Sequence, residues 1–161
     1  MTQNPVFLLL GGNLGDRQAI LQQARTLIEQ RIAPIVKTSK LYETAPWGVT
    51  DQPAFLNQVV QLNTVWHPID ILERILKIEK ELGRERRERW GARVIDIDIL
   101  YYDQLIMQMT HLVIPHPRLH ERRFTLVPLA EIAPDFVHSK YQKTNEELLQ
   151  QCTDNSDVNV F

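Results

Sequence analysis

Two aspartates alternate with isoleucines in Val-Ile-Asp-Ile-Asp-Ile-Leu, residues 94–100. Successive side chains of a β-strand point to opposite faces, so Asp96 and Asp98 would share one face and the isoleucines the other. Two residues of strand rise roughly 6.6 Å, which lets both carboxylates converge on one or two hard cations. Aspartate oxygens suit magnesium, whose coordination is usually completed by waters and substrate phosphates. Considered alone, two solvated aspartates on a polar strand face explain the pattern equally well.

Five arginines lie within the ten residues immediately before this strand, and a tryptophan stands among them. They are Arg84, Arg86, Arg87, Arg89 and Arg93, with Trp90. Guanidinium groups fork onto phosphate oxygens, so this segment could neutralise a polyphosphate, with the tryptophan as the apolar anchor of a closing loop. A solvated charge run and a nucleic-acid patch with an aromatic stacker are the alternatives. The adjacent aspartate pair favours a metal–triphosphate complex.

The common phosphate-binding motifs are absent. Gly11-Gly12-Asn13-Leu14-Gly15 matches neither the P-loop nor the dinucleotide fingerprint, and it indicates a tight turn between a strand and a helix. No protein-kinase catalytic loop is present. The histidines show no metal-ligand spacing and Cys152 is the only cysteine, which argues against zinc. Phosphate binding is therefore assigned to arginines and a metal ion.

Length and composition predict one soluble domain. The 161 residues carry a net charge of −2, so no general affinity for nucleic acid is expected. A single cysteine allows no internal disulfide, and the apolar run 6–10 is too short for a signal core or a membrane span. We therefore expect a cytoplasmic protein with one domain over 1–161, a motif-bearing core over about 6–138 and a frayed tail over 153–161.

Hydrophobic periodicity predicts four strands and three helices. Asp16 can cap a first helix, Pro68 suits the first turn of a second, and Gly83 is a stop for it. The order strand, helix, strand, strand, helix, strand predicts an α+β fold with a ferredoxin-like βαββαβ core, a mostly antiparallel sheet with packed helices, and an extra C-terminal helical segment. The predicted strands are Val6 to Leu10, Val36 to Tyr42, Phe55 to Leu62 and Val94 to Tyr102, and a third helix is predicted over Phe124 to Ile132.

These motifs together resemble one enzyme family, the 6-hydroxymethyl-7,8-dihydropterin pyrophosphokinases of the folate pathway. The main match is Arg-Trp-Gly-Ala-Arg-Val-Ile-Asp-Ile-Asp-Ile-Leu, residues 89–100. Supporting matches run in the family's order from about Val6 to His138. They are Leu-Gly-Gly-Asn-Leu-Gly-Asp at 10–16, Tyr-Glu-Thr-Ala-Pro-Trp-Gly at 42–48, Gln-Pro-Ala-Phe-Leu-Asn at 52–57, Pro-His-Pro-Arg at 115–118 and Pro-Leu-Ala-Glu-Ile-Ala-Pro at 128–134.

The resemblance implies a ferredoxin-like α+β fold and transfer of pyrophosphate from ATP to the pterin hydroxymethyl group, with release of AMP. It implies two Mg²⁺ ions held by Asp96 and Asp98, with ATP as co-substrate. Both substrates are small molecules, and we expect no nucleic-acid partner, no membrane partner and a monomer. Another ferredoxin-like nucleotidyl transferase, which would release pyrophosphate, and a non-catalytic nucleic-acid-binding module are the competing hypotheses.

The resemblance also carries individual residues over to this sequence. Departures from the family's pattern are Gly12, Ala45, Ala92 and Trp47, and the arginine segment is one residue shorter than in some members. The catalytic residues implied are Arg84, Arg86, Trp90 and Arg93. The ATP-binding residues implied are Glu79, Arg84, Arg93, Ile99, His111, His116 and Arg122. The pterin-binding residues implied are Thr44, Ala45, Trp47, Phe55, Asn57 and Phe124.

Overall fold

A computed structural model describes residues 2–45, 53–83 and 94–161. The strands are β1 (Asn4–Gly12), β2 (Ile35–Thr38), β3 (Tyr42–Thr44), β4 (Phe55–Thr64), β5 (Asp96–Tyr102), β6 (Met107–Gln108), β7 (Val113–Ile114) and β8 (Val158–Val160). The helices are α1 (Arg17–Arg31), α2 (Pro68–Glu81), α3 (Arg123–Ile132) and α4 (Asn145–Gln151), with a 3-10 helix at Leu119–Glu121.

Six strands form one antiparallel sheet in the order β5-β1-β4-β3-β8, with β2 also paired to β4. Strands β2 and β3 lie consecutively along β4, so the core order is the fourth, first, third and second strand of a βαββαβ unit. This arrangement confirms the predicted ferredoxin-like α+β fold. Strands β6 and β7 form a separate two-stranded ribbon.

Alternate residues of β1 enter two separate apolar cores, one on each face of the sheet. Val6, Leu8 and Leu10 pack with buried residues of α1 and α2. Phe7 and Leu9 pack with buried residues of α3 and α4. The sheet is therefore the middle of three layers. No helix in the described part of the chain has the length and hydropathy needed to cross a membrane.

Helix boundaries follow the local signals in the sequence. The Asp16 side chain accepts a hydrogen bond from Ala19 N at 3.2 Å and caps α1. Pro68 opens α2, and Gly83, with a φ of +93°, follows its end. Helix α4 begins with a capping box between Thr144 and Glu147. That Thr-x-x-Glu spacing would have located α4, which was not among the three predicted helices.

The structure corrects two predicted strand boundaries. The single strand expected over 36–42 is broken into β2 and β3, because Ser39 Oγ accepts from Val59 N at 3.0 Å and replaces a main-chain partner. Strand β1 continues through Gly11 and Gly12, where the sequence analysis placed its end. Both glycines remain in register with β4, opposite Asn57 and Leu56.

The frayed tail predicted for 153–161 is a further correction. Residues Val158–Val160 form β8 and pair with β3, and Phe161 N donates to Leu41 O at 2.9 Å. The tail is polar at its start and ends in Val-Asn-Val-Phe, a strand-like pattern too short to be recognised without its partner. Tertiary pairing at the sheet edge therefore orders a segment that composition alone indicates is loose.

Candidate functional site

Asp96 and Asp98 lie on the same face of β5, as the alternation predicts. Both are half-buried, whereas Ile97 and Ile99 are each 5% exposed in the core beneath α1 and α2. Asp96 is opposite Gly11 of β1, and Asp98 is opposite Leu9. The carboxylates therefore project from the α3 side of the sheet. The side chain of Ile99, predicted to bind ATP, points to the opposite face, so only its backbone is available to a nucleotide.

A row of aligned residues connects Asp96 to the proposed pterin-binding strand. Tyr42, Asn57, Gly11 and Asp96 are cross-strand neighbours on β3, β4, β1 and β5. Neighbouring strands lie about 4.8 Å apart, so Asn57 and Asp96 are roughly 10 Å apart with the glycine between them. A Cβ at Gly11 would collide with Asn57 Oδ1. Glycine at this position gives the asparagine amide its space beside the carboxylates.

Arg122 brings a guanidinium to the aspartates from the start of α3. Burial lowers the pKa of Arg122, and the negative charges of Asp98 and Asp96 act in the opposite direction. The Cζ atom of Arg122 lies 5.5 Å from the ring centroid of Phe124. One helix start therefore places a cation near the carboxylate pair and an aromatic ring beside that cation.

The His116 side chain is held in its neutral form. Burial and, to a smaller extent, the positive charges of Arg122 and Arg118 lower its pKa to about 4. Its Nδ1 accepts from Arg118 N at 3.1 Å, so in the neutral ring the proton is on Nε2. Its main-chain N donates to Leu100 O of β5 at 3.0 Å. The bond to β5 holds the imidazole close to the strand that carries the aspartates.

Glu79 lies buried at 5% exposure on α2. Its Oε2 accepts from Ile97 N at 2.8 Å, so the carboxylate ties the helix to the strand segment between the two aspartates. His111 is exposed beside β7, where Met109 N and Leu112 O close the turn of the ribbon. The structure thus gives Glu79 a contact to the strand backbone, and it leaves His111 open to solvent.

Thr44 of β3 and Phe55 of β4 are paired two residues along from Tyr42 and Asn57, at the end of the sheet that carries Asn57. Thr44 is 3% exposed, and among the described residues its Oγ1 has no hydrogen-bond partner. A buried hydroxyl without a partner is costly unless a ligand or water satisfies it. Phe55 is partly exposed, and Ala45 is exposed at the end of the described segment. These features suit a ligand with both a flat face and polar edges.

Two residues that the sequence analysis did not single out for the site support this end of the sheet. Asn13 Nδ2 donates to Pro53 O at 3.0 Å. Arg17 Nη1 donates to Glu43 Oε2 at 2.7 Å and to Ala54 O at 2.9 Å. They hold the chain on both sides of the Thr44–Phe55 pair. The Gly-Gly-Asn motif was the only local signal for Asn13, and no local signal marked Arg17.

Five predicted site residues fall outside the described residues: Trp47 in 46–52, and Arg84, Arg86, Trp90 and Arg93 in 84–93. Within residues 2–45, 53–83 and 94–161, no group of three or more His, Cys, Asp or Glu side chains could hold a metal ion. A cation on the Asp96–Asp98 pair would therefore take its remaining ligands from waters, from substrate or from outside these ranges. That donor set fits magnesium, which binds few carboxylates together with phosphate oxygens.

Comparison with known proteins gives one consistent result. Residues 7–134 match the family model for 7,8-dihydro-6-hydroxymethylpterin-pyrophosphokinase. The chain is 41% identical over 159 residues to a 2-amino-4-hydroxy-6-hydroxymethyldihydropteridine pyrophosphokinase of Bacillus subtilis, covering 98% of this chain and 90% of the relative. It is 48% identical over 135 residues to the enzyme of that name from Methylorubrum extorquens, covering 81% and 84%.

A solved structure shares the fold. Wild-type Plasmodium falciparum HPPK-DHPS with pteroate superposes with a TM-score of 0.77 at 18% identity. The match covers 92% of this chain and 42% of that one, so the chain spans about two fifths of the larger protein. At this level of identity, the likeness concerns the fold alone.

Proposed function

The chain belongs to the 7,8-dihydro-6-hydroxymethylpterin-pyrophosphokinase family, and on that premise we propose that Asp96 and Asp98 bind the magnesium ions of the reaction. The enzyme transfers pyrophosphate from ATP to the hydroxymethyl group of 6-hydroxymethyl-7,8-dihydropterin and releases AMP, a step of folate biosynthesis. ATP is its co-substrate. What we propose is which residues hold each substrate.

The observation that carries the metal assignment is the common face of two half-buried carboxylates close to Arg122. Like charges two residues apart on a strand repel, and a divalent ion is the natural counter-charge for them. The family resemblance implies two ions per site. When bound, magnesium would offset the charge of the phosphate oxygens and orient them for in-line attack.

The phosphate contacts are assigned to Arg122 and His116. Arg122 is cationic and can offer a fork of N–H donors to phosphate oxygens. His116 adds an uncharged Nε2–H donor, which stabilises developing negative charge in a pocket with little water. Arg84, Arg86, Trp90 and Arg93 are proposed to complete the phosphate site during catalysis, on the family resemblance of their motif. Glu79 acts through the β5 backbone, by keeping the aspartate strand in place against α2.

The pterin is assigned to the end of the sheet where Asn57 lies next to Gly11. Asn57 can bond the edge of a heterocycle through both its amide oxygen and its amide nitrogen. The Thr44 hydroxyl, which has no hydrogen-bond partner within the described ranges, supports a polar ligand edge at the same place. Phe55 and Phe124 supply the aromatic faces on which a flat ring could stack. Ala45 and Trp47 complete the proposed set.

We also propose that the enzyme works as a monomer in the cytoplasm. Its single cysteine and near-neutral charge support a reducing compartment and no fixed polyanionic partner. The curated relative from Bacillus subtilis is similar in length, since the match covers 90% of it. Analytical ultracentrifugation at the assay concentration tests the oligomeric part of this proposal.

The first prediction tests the metal assignment. The protein is incubated with ATP, Mg²⁺ and 6-hydroxymethyl-7,8-dihydropterin, and AMP is quantified by chromatography. Wild type is expected to form AMP, and Asp98→Ala is expected to lose at least about 10²-fold in kcat, because the electrostatic stabilisation of the phosphates is removed. Mg²⁺ titrations of both proteins should show weaker activation of the variant by metal.

Asp135→Ala is the matched control, because Asp135 is exposed and the substitution removes the same charge. The control should keep wild-type kcat and metal dependence. Near-normal turnover of a folded Asp98→Ala variant would contradict the metal assignment. Release of pyrophosphate in place of AMP would instead indicate nucleotidyl transfer.

A further inference from the structure

The start of α3 is capped from a distant part of the chain. The N-cap residue of this helix, Arg122, makes no side-chain capping bond. Instead, Asp154 Oδ2 accepts from Arg123 N at 3.0 Å. The first N–H groups of a helix have no partner within the helix, and a carboxylate there also interacts favourably with the helix dipole. Asp154 thus acts as a cap supplied by the C-terminal segment.

Asp154 is itself held in place. Its Oδ1 accepts from Ser156 N at 3.0 Å and also from Ser156 Oγ. Two residues further on, β8 pairs with β3 at the edge of the sheet. The carboxylate is therefore anchored to the sheet through β8, and it connects that edge to the first turn of α3.

The opposite end of α3 is pinned to the same strand, β3. Glu131 Oε1 accepts from Tyr42 OH at 2.5 Å, and its carboxylate accepts from Lys40 N. Tyr42 is 7% exposed and stands opposite Asn57 in the β3–β4 register. Two carboxylates, Asp154 and Glu131, therefore tie the two ends of α3 to the edge of the sheet, in addition to its apolar packing.

The two residues on either side of the capped amide are both proposed site residues. Arg122 precedes Arg123, and Phe124 follows it. We propose that Asp154 is a positioning residue, which places the Arg122 guanidinium and the Phe124 ring for substrate without touching substrate itself. This inference rests on the site roles proposed above for Arg122 and Phe124.

The test compares Asp154→Ala with Asp157→Ala under steady-state conditions. Asp157 is exposed in the same segment, so its substitution removes the same charge three residues away. Loss of a cap lets the first turn of α3 fray. A typical cap changes the equilibrium between the ordered and the frayed turn about fivefold. We expect kcat/KM for the pterin to fall about fivefold in Asp154→Ala and to stay within twofold of wild type in Asp157→Ala.

Rescue separates positioning from general destabilisation. Asn and Ser accept from helix N–H groups about as well as Asp does, so Asp154→Asn and Asp154→Ser should recover kcat/KM to within about twofold of wild type. A purely structural role would lower the unfolding midpoint of Asp154→Ala and leave its kcat/KM at 25 °C equal to that of Asp157→Ala. That equality would overturn the proposal.

Three further variants keep the result interpretable. If Asp154→Ala does not fold, Ser156→Ala provides the test, because it removes one hydrogen bond that orients Asp154. A kcat/KM about twofold lower supports the positioning role. Unchanged kinetics refute that role. Arg122→Ala and Phe124→Ala test the underlying site. Wild-type kinetics in both would refute the site assignment, whereas losses in both alongside a normal Asp154→Ala would refute only the positioning role.

Discussion

The two faces of the sheet differ although the same strands build both. On the face beneath α1 and α2, β5 contributes Ile97, Ile99 and Tyr102 to a core of mostly aliphatic residues. On the other face, α3 and α4 cover one end of the sheet, and the remaining end carries Asp96, Asp98 and Asn57. One strand thus contributes to a closed core and to an open polar site.

The difference shows how a charge-dense site is tolerated. Placing carboxylates and a guanidinium near one another in partly buried surroundings costs desolvation energy. Burial of aliphatic side chains on the apolar face offsets this desolvation cost, because each Å² of apolar surface removed from water contributes about 25 cal/mol. Over residues 96–99, the strand period of two assigns alternate side chains to the site and to the core, and Leu100 and Tyr101 then join the second core beneath α3 and α4.

The largest effect on stability is expected from Ile97→Ala, on the core face between the aspartates. Ile97 is 5% exposed, and truncating a buried isoleucine to alanine costs about 3 kcal/mol of unfolding free energy through lost burial and a residual cavity. Urea unfolding measures this loss, and kcat of the folded fraction should stay within about threefold of wild type.

Asp98→Ala, one residue away on the other face, is the comparison for that experiment. It should change the free energy of unfolding by less than about 1 kcal/mol, because Asp98 is half-buried and fills no core. Equal destabilisation by the two variants would refute the division of β5 into a core face and a site face.

An intermediate effect is expected from Gly11→Ala, which adds one carbon on the site face. The new Cβ would collide with Asn57 Oδ1 and force the amide out of its position. Loss of one bond to the pterin corresponds to about tenfold in kcat/KM for that substrate. The KM for ATP should change little. Steady-state kinetics with each substrate varied in turn provide the measurement.

Gly15→Ala is the control for backbone effects, because Gly15 has a φ of +67° and an added Cβ there would approach Ile20, not Asn57. It should lower stability without a selective rise in the KM for the pterin. An unchanged KM for the pterin in Gly11→Ala would show that Asn57 does not contact that substrate.

The smallest effect is expected from the titration of His116. Its pKa of about 4 lies below the ordinary value near 6.5, so the ring is neutral throughout pH 5.5–8. The charge of His116 therefore changes little over this range, and it should alter kcat/KM less than twofold. The pH–rate profiles of wild type and His116→Gln, compared between pH 5.5 and 8, provide the measurement. A titration near 6.5 that disappears in the variant would contradict the neutral-donor role.

Predictions from the sequence are confirmed where a local residue pattern matches the period of the strand or helix that it forms. Strand β5 was predicted from strict alternation, α2 from apolar spacing between Pro68 and Gly83, and the topology from the order of elements. The family motifs led to the reaction, which the comparisons confirm. The common face of Asp96 and Asp98 was predicted correctly, because alternation along one strand needs no tertiary information, and their binding of metal stays a prediction.

Prediction was weaker where a role depends on a distant partner. The end of β1 was placed too early, because glycines usually stop a strand, and only Asn57 on the neighbouring strand explains Gly11 within it. The prediction that the tail frays was wrong, because the tail is ordered by distant partners. It pairs with β3 and caps α3. Ile99 was carried over by resemblance as an ATP-binding residue, and the burial of its side chain leaves only its backbone for such a contact.

By itself, the sequence determined the alternation that separates core from carboxylates, the βαββαβ order and the family to which the chain belongs. These are properties of neighbouring residues, since strand and helix periods act over a few positions. Only the tertiary structure decided that Arg122 approaches Asp98, that Gly11 makes room for Asn57, and that Asp154 holds α3. Those relations join residues 24 to 46 positions apart, and the interactions can form only after the sheet has brought the elements together.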